Sequence, residues 1–342
     1  MSNNNSEIYK IYRQNSILTL NFLVKLRKIS YEIFAFLCAH TYTYNVILLH
    51  TLHPMKQLLD SYDIITLAWL QAKSELMERE ESKYLLHVNQ LEHILKGLQS
   101  EYDILDIKDT RQFTYENIYF DTDDYFFYNQ HLDQRKSRTK IRTRKYVDSH
   151  LDFVEYKQKI NNVIKKERIT IGEDEFWHTS PDTITFLESC FNKYYNKDKV
   201  FKLVPTLRNK YQRITLCHKT KKERVTIDMN IAYSESDSQE SALTLSHLAI
   251  IECKHAEKKP YFKQLMKEQN IPEVSLCSKY CLGAYYLWKT KNYKSFLPTI
   301  IYIDTLKNSK SVSPNFVKDY KQRINDNKRQ TNQGVVSGWV TL

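Results

Sequence analysis

The sequence predicts an α+β fold in which many antiparallel strands, closed into a barrel or stacked as a sandwich, are accompanied by a few helices. Three observations carry this. Strand-like segments recur between about residues 78 and 255, with few helical stretches among them. Along nearly every such segment, charged residues fall on alternate positions, the period of a strand. Gly is scarce, at 5 of 342 residues, and neither GxGxxG nor GxxxxGK[ST] occurs, so Rossmann and Walker-type nucleotide folds lose their main support.

The elements follow in order. Leu58–Ala72 reads as a helical lead-in, and Glu78–Leu86 as the first strand. Val88–Gln99 has helical spacing at Leu91, Ile94, Leu95 and Leu98. Strands are expected over Phe113–Asp121, Ser137–Tyr146, Asp152–Ile160, Lys166–Ile171, Pro205–Leu216, Arg224–Ile231 and Leu248–His255. Helices are expected over Pro181–Tyr195, Pro260–Glu268 and Ser278–Lys289. Ser234–Ser246 is polar and acidic, a solvated loop, and after about Lys307 the composition turns to Lys, Asn, Ser and Asp. These divisions give an extension over 1–54, a lead-in over 55–75, a strand-rich domain over 76–300 and a polar, flexible tail over 301–342.

The stretch Ile33–Met55 lacks Asp, Glu, Lys and Arg, but His40, His50, His53, Asn45 and Pro54 dilute it, which disfavours a membrane span. Lys25, Arg27 and Lys28 break the earlier apolar run, so no clean signal peptide is present. Cys38, Cys190, Cys217, Cys253, Cys277 and Cys281 form no CxxC pair, and buried thiols in a reducing compartment are expected.

Charge sets the functional question. Lys and Arg number 51 against 40 Asp and Glu, for a formal net charge of +11, which favours an anionic partner. Parity says where the cations go. Arg138, Lys140, Arg142 and Arg144 share one face of their strand, as do Glu155, Lys157 and Lys159 on theirs. Lys166 and Arg168, Tyr211 and Arg213, Arg79, Glu81 and Lys83, and Glu252 and Lys254 repeat the pattern. On those faces the counter-charges are few: Glu81, Glu155, Asp228 and Glu252. Like charges gathered on one wall repel, and a bound polyanion would relieve them. Arg suits that task because its fork matches phosphate oxygens.

An ordered set of short motifs adds to this. It comprises REESKY at Arg79–Tyr84, NIYFD at Asn117–Asp121, NQHL at Asn129–Leu132 and KIRTR at Lys140–Arg144. It continues with EYK at Glu155–Lys157, KER at Lys166–Arg168, YQR at Tyr211–Arg213 and RVTID at Arg224–Asp228, then IECK at Ile251–Lys254 and SKYCLG at Ser278–Gly283. In this order and spacing the chain, from about Leu76 to Leu287, resembles the VTC domain, a polyphosphate polymerase of the triphosphate tunnel (CYTH-like) superfamily.

The resemblance implies an antiparallel β-barrel tunnel with helices packed outside. It implies transfer of the ATP γ-phosphate to a growing polyphosphate chain with Mn2+ or Mg2+. Lys83, Arg142, Arg144, Lys157, Lys166, Arg213, Arg224, Lys254 and Lys279 would bind phosphates. Arg142, Arg144 and Lys279 would act at the reacting centre, and Glu252 would hold the metal. Expected partners are ATP and polyphosphate, with inositol phosphates or a membrane transporter as further ones. Nucleic acid is not expected, since a closed tunnel excludes duplexes. The implied location is cytoplasmic, at a membrane face through a partner.

Two departures bear on the activity. Hydrolases of the superfamily open with ExExK, whereas this chain has Arg79 at the first Glu position, which favours the VTC branch. The polymerase carries a basic residue where this chain has Leu276. A metal-dependent tripolyphosphatase or nucleoside triphosphatase, and a non-catalytic polyphosphate or inositol-phosphate binding module, are therefore the alternatives.

Overall fold

The computed structural model describes residues 54–75, 80–161, 163–195, 201–238, 240–288, 293–308 and 322. Arg79, Cys38, nearly all of the charge-free stretch Ile33–Met55 and most of the polar tail lie outside them. The chain divides into two compact units, Met1–Ser61 and Tyr62–Leu342. In the first, helix α1 runs over residues 54–60.

The second unit is built on one sheet. Its strands are β1 (Ile64–Ile65), β2 (Glu80–His87), β3 (Tyr102–Leu105), β4 (Gln112–Asp121), β5 (Ser137–Tyr146), β6 (Leu151–Ile160), β7 (Val163–Ile171), β8 (Val204–His218), β9 (Glu223–Glu235), β10 (Leu243–Leu245) and β11 (Leu248–His255). The helices are α2 (Leu67–Glu75), α3 (Leu91–Leu98), α4 (Phe126–Leu132), α5 (Pro181–Tyr194), α6 (Tyr261–Glu268), α7 (Lys279–Trp288) and α8 (Leu297–Asn308). The main path of the sheet runs β2-β11-β9-β8-β4-β5-β6-β7, antiparallel at each step.

Each strand alternates, so the sheet has two unlike faces. Ile118, Phe120, Ile141, Val154 and Tyr156 point outward and pack with Leu187, Cys190 and Phe191 of α5. Further along, Tyr84 meets Phe262 of α6 edge-on at 5.5 Å. Leu91, Ile94, Leu95 and Leu98 of α3 are all buried. Each such apolar side chain contributes roughly 1.5–3 kcal/mol. One local and one tertiary contact fix two helix starts. Ser180 accepts the Thr183 N–H at 3.2 Å and Pro181 occupies the first turn of α5. The buried Glu223 carboxylate accepts the Tyr261 and Phe262 N–H groups, both at 2.8 Å, at the start of α6.

The expected closed barrel is corrected here: the sheet is open. Among the described residues β7 pairs only with β6, and β2 only with β11, so the ladder never joins its two ends. The physical reason lies at the β2 edge. The chain after α6 crosses it, with a bridge between Tyr84 and Glu273 and the Val274 N–H donating to the Lys83 carbonyl at 2.7 Å. That edge is therefore taken. β7 is left as a largely exposed edge strand carrying Lys165, Lys166, Glu167 and Arg168, the kind of charged edge that discourages further pairing.

The sheet is nonetheless strongly curved. Lys83 on β2 and Lys140 on β5, five strand steps apart along the path, reach the same short segment: Lys83 Nζ donates to the Cys277 carbonyl at 3.3 Å and Lys140 Nζ to Ser278 Oγ at 2.7 Å. A second correction concerns the helices. α5 and α6 pack on the outer face, but α7 lies on the inner one. Tyr280 stacks on Tyr119 at 4.9 Å, and a Cβ on Gly283 would come within 2.6 Å of both Leu207 and Tyr233. One end of the concave face is thus filled by α7.

Candidate functional site

Register decides which side chains share the concave face. Lys83 pairs with Glu252, and Glu81 with Lys254. Lys254 pairs with Arg224, and Asp228 with Arg213. Tyr115 sits opposite both Tyr211 and Tyr146, and Asn117 opposite Arg144. Arg142 pairs with Glu155, Lys140 with Lys157, and Lys157 with Lys166. Cross-strand partners point the same way, so these residues form one continuous face. Lys279, at the start of α7, joins it from above through Asp228.

Three charge clusters organise this face. In the first, Lys83 lies 2.8 Å from Glu81 and 3.5 Å from Glu252, while Lys254 lies 2.6 Å from Glu252 and 3.9 Å from Glu81. Burial alone would raise the Glu252 carboxyl, but Lys254, Lys83 and Lys157 outweigh it and hold it well below the usual range. In the second, Glu155 receives Arg142 through Nε at 2.8 Å and Nη2 at 2.6 Å, and Lys166 at 2.5 Å, with Arg144 at 3.8 Å. Arg144 also donates to Asn117 Oδ1 at 2.8 Å and to the Tyr211 hydroxyl at 3.0 Å.

In the third, Arg213 grips Asp228 with two bonds, 2.6 and 2.7 Å, and Lys279 Nζ contacts the same carboxylate. Burial pushes the Asp228 carboxyl up, but Arg213 and Lys279 overcome it and lower it to about 2. Tyr211 lies under this group, with Lys279 Nζ 4.7 Å from its ring centre.

Lys140 and Lys157 are among the lysines of the face with no carboxylate in ion-pair range among the described residues. Lys140 bonds only the Ser278 hydroxyl, and burial together with neighbouring Lys83, Lys157 and Arg138 lowers its ammonium to about 7. Burial likewise lowers Lys157 to about 8; Glu81 and Glu252 offset this in part, while Lys83 and Lys254 add to it. Neither lysine has a carboxylate of its own, and both ammonium groups are drawn down towards neutral pH.

The residues expected to bind phosphate all lie on this face: Lys83, Arg142, Arg144, Lys157, Lys166, Arg213, Arg224, Lys254 and Lys279. Glu252 lies there too. Lys140, Glu81 and Ser278 were not picked out as site residues, although Lys140 shares the parity of Arg142 and Glu81 that of Lys83. Leu276 packs against the apolar core and brings no cation to the face.

Among the described residues no group of three or more His, Cys, Asp or Glu could hold a metal by itself. Glu252 and Glu81 flank the same two lysines with 24% and 22% of their side chains exposed. A divalent ion held by one or two carboxylates, with phosphate oxygens and water completing its shell, is the usual Mg2+ arrangement and fits this pair.

The sequence matches the family model described as VTC domain over residues 78–288, more than half of the chain. The chain belongs to the VTC domain family. No curated protein matches it. Among solved structures, this VTC domain is similar to a candidate adenylate cyclase from Bacillus halodurans, at 14% identity and a TM-score of 0.39, covering 59% of this chain and 97% of that one. It is similar to a Hippeastrum protein described as having a dominant triphosphatase activity, at 16% identity and a TM-score of 0.37, covering 60% and 94%. A Pyrococcus horikoshii protein, PH1819, gives 12% identity and a TM-score of 0.33, covering 59% and 97%. All three scores are low, and the assignment of the VTC domain rests on the sequence match. No helix among the described residues is long and apolar enough to cross a membrane.

Proposed function

We propose that this VTC domain binds a triphosphate, either inorganic tripolyphosphate or the tail of a nucleoside triphosphate, on its concave face and hydrolyses the terminal phosphoanhydride with Mn2+ or Mg2+. The observation that carries the reading is the single cationic face, where Glu81, Glu252, Glu155 and Asp228 are each matched by cations while Lys140 and Lys157 are not.

Phosphoryl transfer asks little covalent chemistry of a protein. It needs the nucleophile and leaving group in line, with charge on the equatorial oxygens compensated. Arg142, Arg144 and Lys166 would grip oxygens at one position along the chain, and Arg213 with Lys279 at the next. A metal bound at Glu252 and Glu81 would supply Lewis-acid polarisation of a phosphoryl oxygen. Water would attack the terminal phosphorus, and the remaining diphosphate would leave with its negative charge held by the cations. With α7 filling one end of the face, a short chain with a free end suits the site better than a long chain in transit.

A second reading, polymerisation of ATP γ-phosphate into polyphosphate, is favoured by the family match. Leu276 weighs against it. Because the sheet is open, the exclusion of nucleic acid by a closed tunnel no longer has a basis.

The test is an incubation of purified protein with ATP or tripolyphosphate and Mn2+, with products resolved on a gel. Orthophosphate without longer chains is expected. Long chains would overturn hydrolysis in favour of polymerisation, and unchanged substrate despite tight binding would leave only a binding module. Lys279→Ala and Glu252→Ala should each abolish turnover with the fold intact.

A further inference from the structure

Beside the cation clusters, the concave face changes character. Two residues along β5 from Arg144 stands Tyr146, and directly opposite Arg144 on β6 stands Phe153. Both rings are only partly buried. They meet edge-on, 5.6 Å apart at 85°. Tyr146 leans on Tyr115 at 4.9 Å, and Tyr115 stacks on Tyr211 at 5.4 Å and 2°, so the wall is braced from behind. Arg168, exposed on edge strand β7 and paired in register with Glu155, holds its guanidinium 4.6 Å above Phe153 rather than against a carboxylate among the described residues.

Aromatic rings at the end of a phosphate-gripping row, with an exposed arginine beside one of them, are the components of a base-stacking platform. Spacing agrees. Two residues along a strand span about 7 Å, a length comparable to the ribose between a base and its first phosphate. Nothing in the grip of a bare phosphate chain calls for this wall. Stacking on the ring faces of Phe153 and Tyr146 would be tolerant of base identity, because every base has a π-face.

We infer that Tyr146 and Phe153, with Arg168 over Phe153, bind the base of a nucleoside triphosphate whose phosphates lie on Arg142, Arg144, Lys166 and Arg213. The inference rests on the triphosphate reading above and narrows it: nucleoside triphosphates are preferred over inorganic tripolyphosphate, with little discrimination among bases.

The experiment measures affinity of the full chain for ATP, GTP and tripolyphosphate by calorimetric titration, for the wild type, Phe153→Leu and Tyr146→Leu. Leucine keeps the apolar packing, and tripolyphosphate binding reports that each variant is folded. The expected result is a loss of ATP and GTP affinity of between about fivefold and a hundredfold, with tripolyphosphate changed less than about twofold. Equal loss for all three ligands, or no loss for the nucleotides, would overturn the platform while leaving the triphosphate reading in place. A wild type that binds none of the three would overturn both.

Discussion

At the scale of the residue, Asp228 is the most constrained group on the face. It is 2% exposed and holds Arg213 from β8 and Lys279 from α7 at one point. Removing it by Asp228→Ala leaves the partly buried Arg213 guanidinium without its carboxylate, a loss of at most about 3–5 kcal/mol. Urea unfolding should show this, together with loss of turnover. The pH dependence has a definite sign. The Asp228 carboxyl falls from 3.8 to about 2 on folding, so its stabilising contribution is full above about pH 4 and is lost as pH falls towards 2. The lysines behave oppositely towards ligand. With Lys140 at about 7 and Lys157 at about 8, tripolyphosphate affinity should weaken as pH rises from 7 to 9. Lys140→Met with Lys157→Met should flatten that profile; an unchanged slope would remove both lysines from the site. The shared face was legible in the sequence because strand parity is strictly local: KIRTR alone places Arg142 and Arg144 together. Which carboxylate neutralises which cation was not legible, because Glu155 meets Lys166, and Asp228 meets Lys279, only through pairing between separate elements.

At the scale of the element, α7 sets the position of Lys279. Its Gly283 lies so close to Leu207 and Tyr233 that a methyl group there forces a shift, and the Tyr233 ring is fully buried. Gly283→Ala should cost about 1–3 kcal/mol as overpacking and lower turnover by moving Lys279 off Asp228. Thermal unfolding and steady-state rates check this, and a variant with wild-type values in both would show that α7 is not seated as described. The long, regular elements were readable: β5 and β11 span the predicted Ser137–Tyr146 and Leu248–His255. α4, seven residues long, has too short an apolar period to announce itself, and its start is held from the end of the preceding strand, the Asp121 carboxylate accepting the Phe127 and Tyr128 N–H groups at 2.8 Å. β3 is only four residues and takes its form from β1 and β8. β9 continues beyond Ile231 because Asn230, at φ 53°, falls where its register with β8 shifts. Local alternation cannot announce that shift.

At the scale of the whole molecule, sheet closure is the property the sequence could not report. Alternation predicts strands and faces, but whether the last strand meets the first depends on what else occupies their edges. Here Glu273 and Val274 occupy the edge of β2, and β7 stays open. Curvature, not closure, brings Lys83 and Lys140 to one segment. Cations outside that concavity are differently placed: Lys96 pairs with Glu92 on the exposed side of α3, and Lys210 with Glu116 on the outer face of the sheet. Lys96 and Glu92 are both exposed, and a pair of that kind is worth little and is screened by salt; Lys210 is itself exposed, and the buried Glu116 it meets keeps Arg208 as a second partner. The most direct measurement is therefore tripolyphosphate affinity compared between two sets of charge-neutralised variants, Arg144→Met and Lys166→Met on the concave face against Lys96→Met and Lys210→Met outside it. Affinity should fall by about tenfold or more in each variant of the first set and stay unchanged in the second. Equal losses in both sets would mean that phosphate follows net charge alone, and the concave face would lose its claim to be the site.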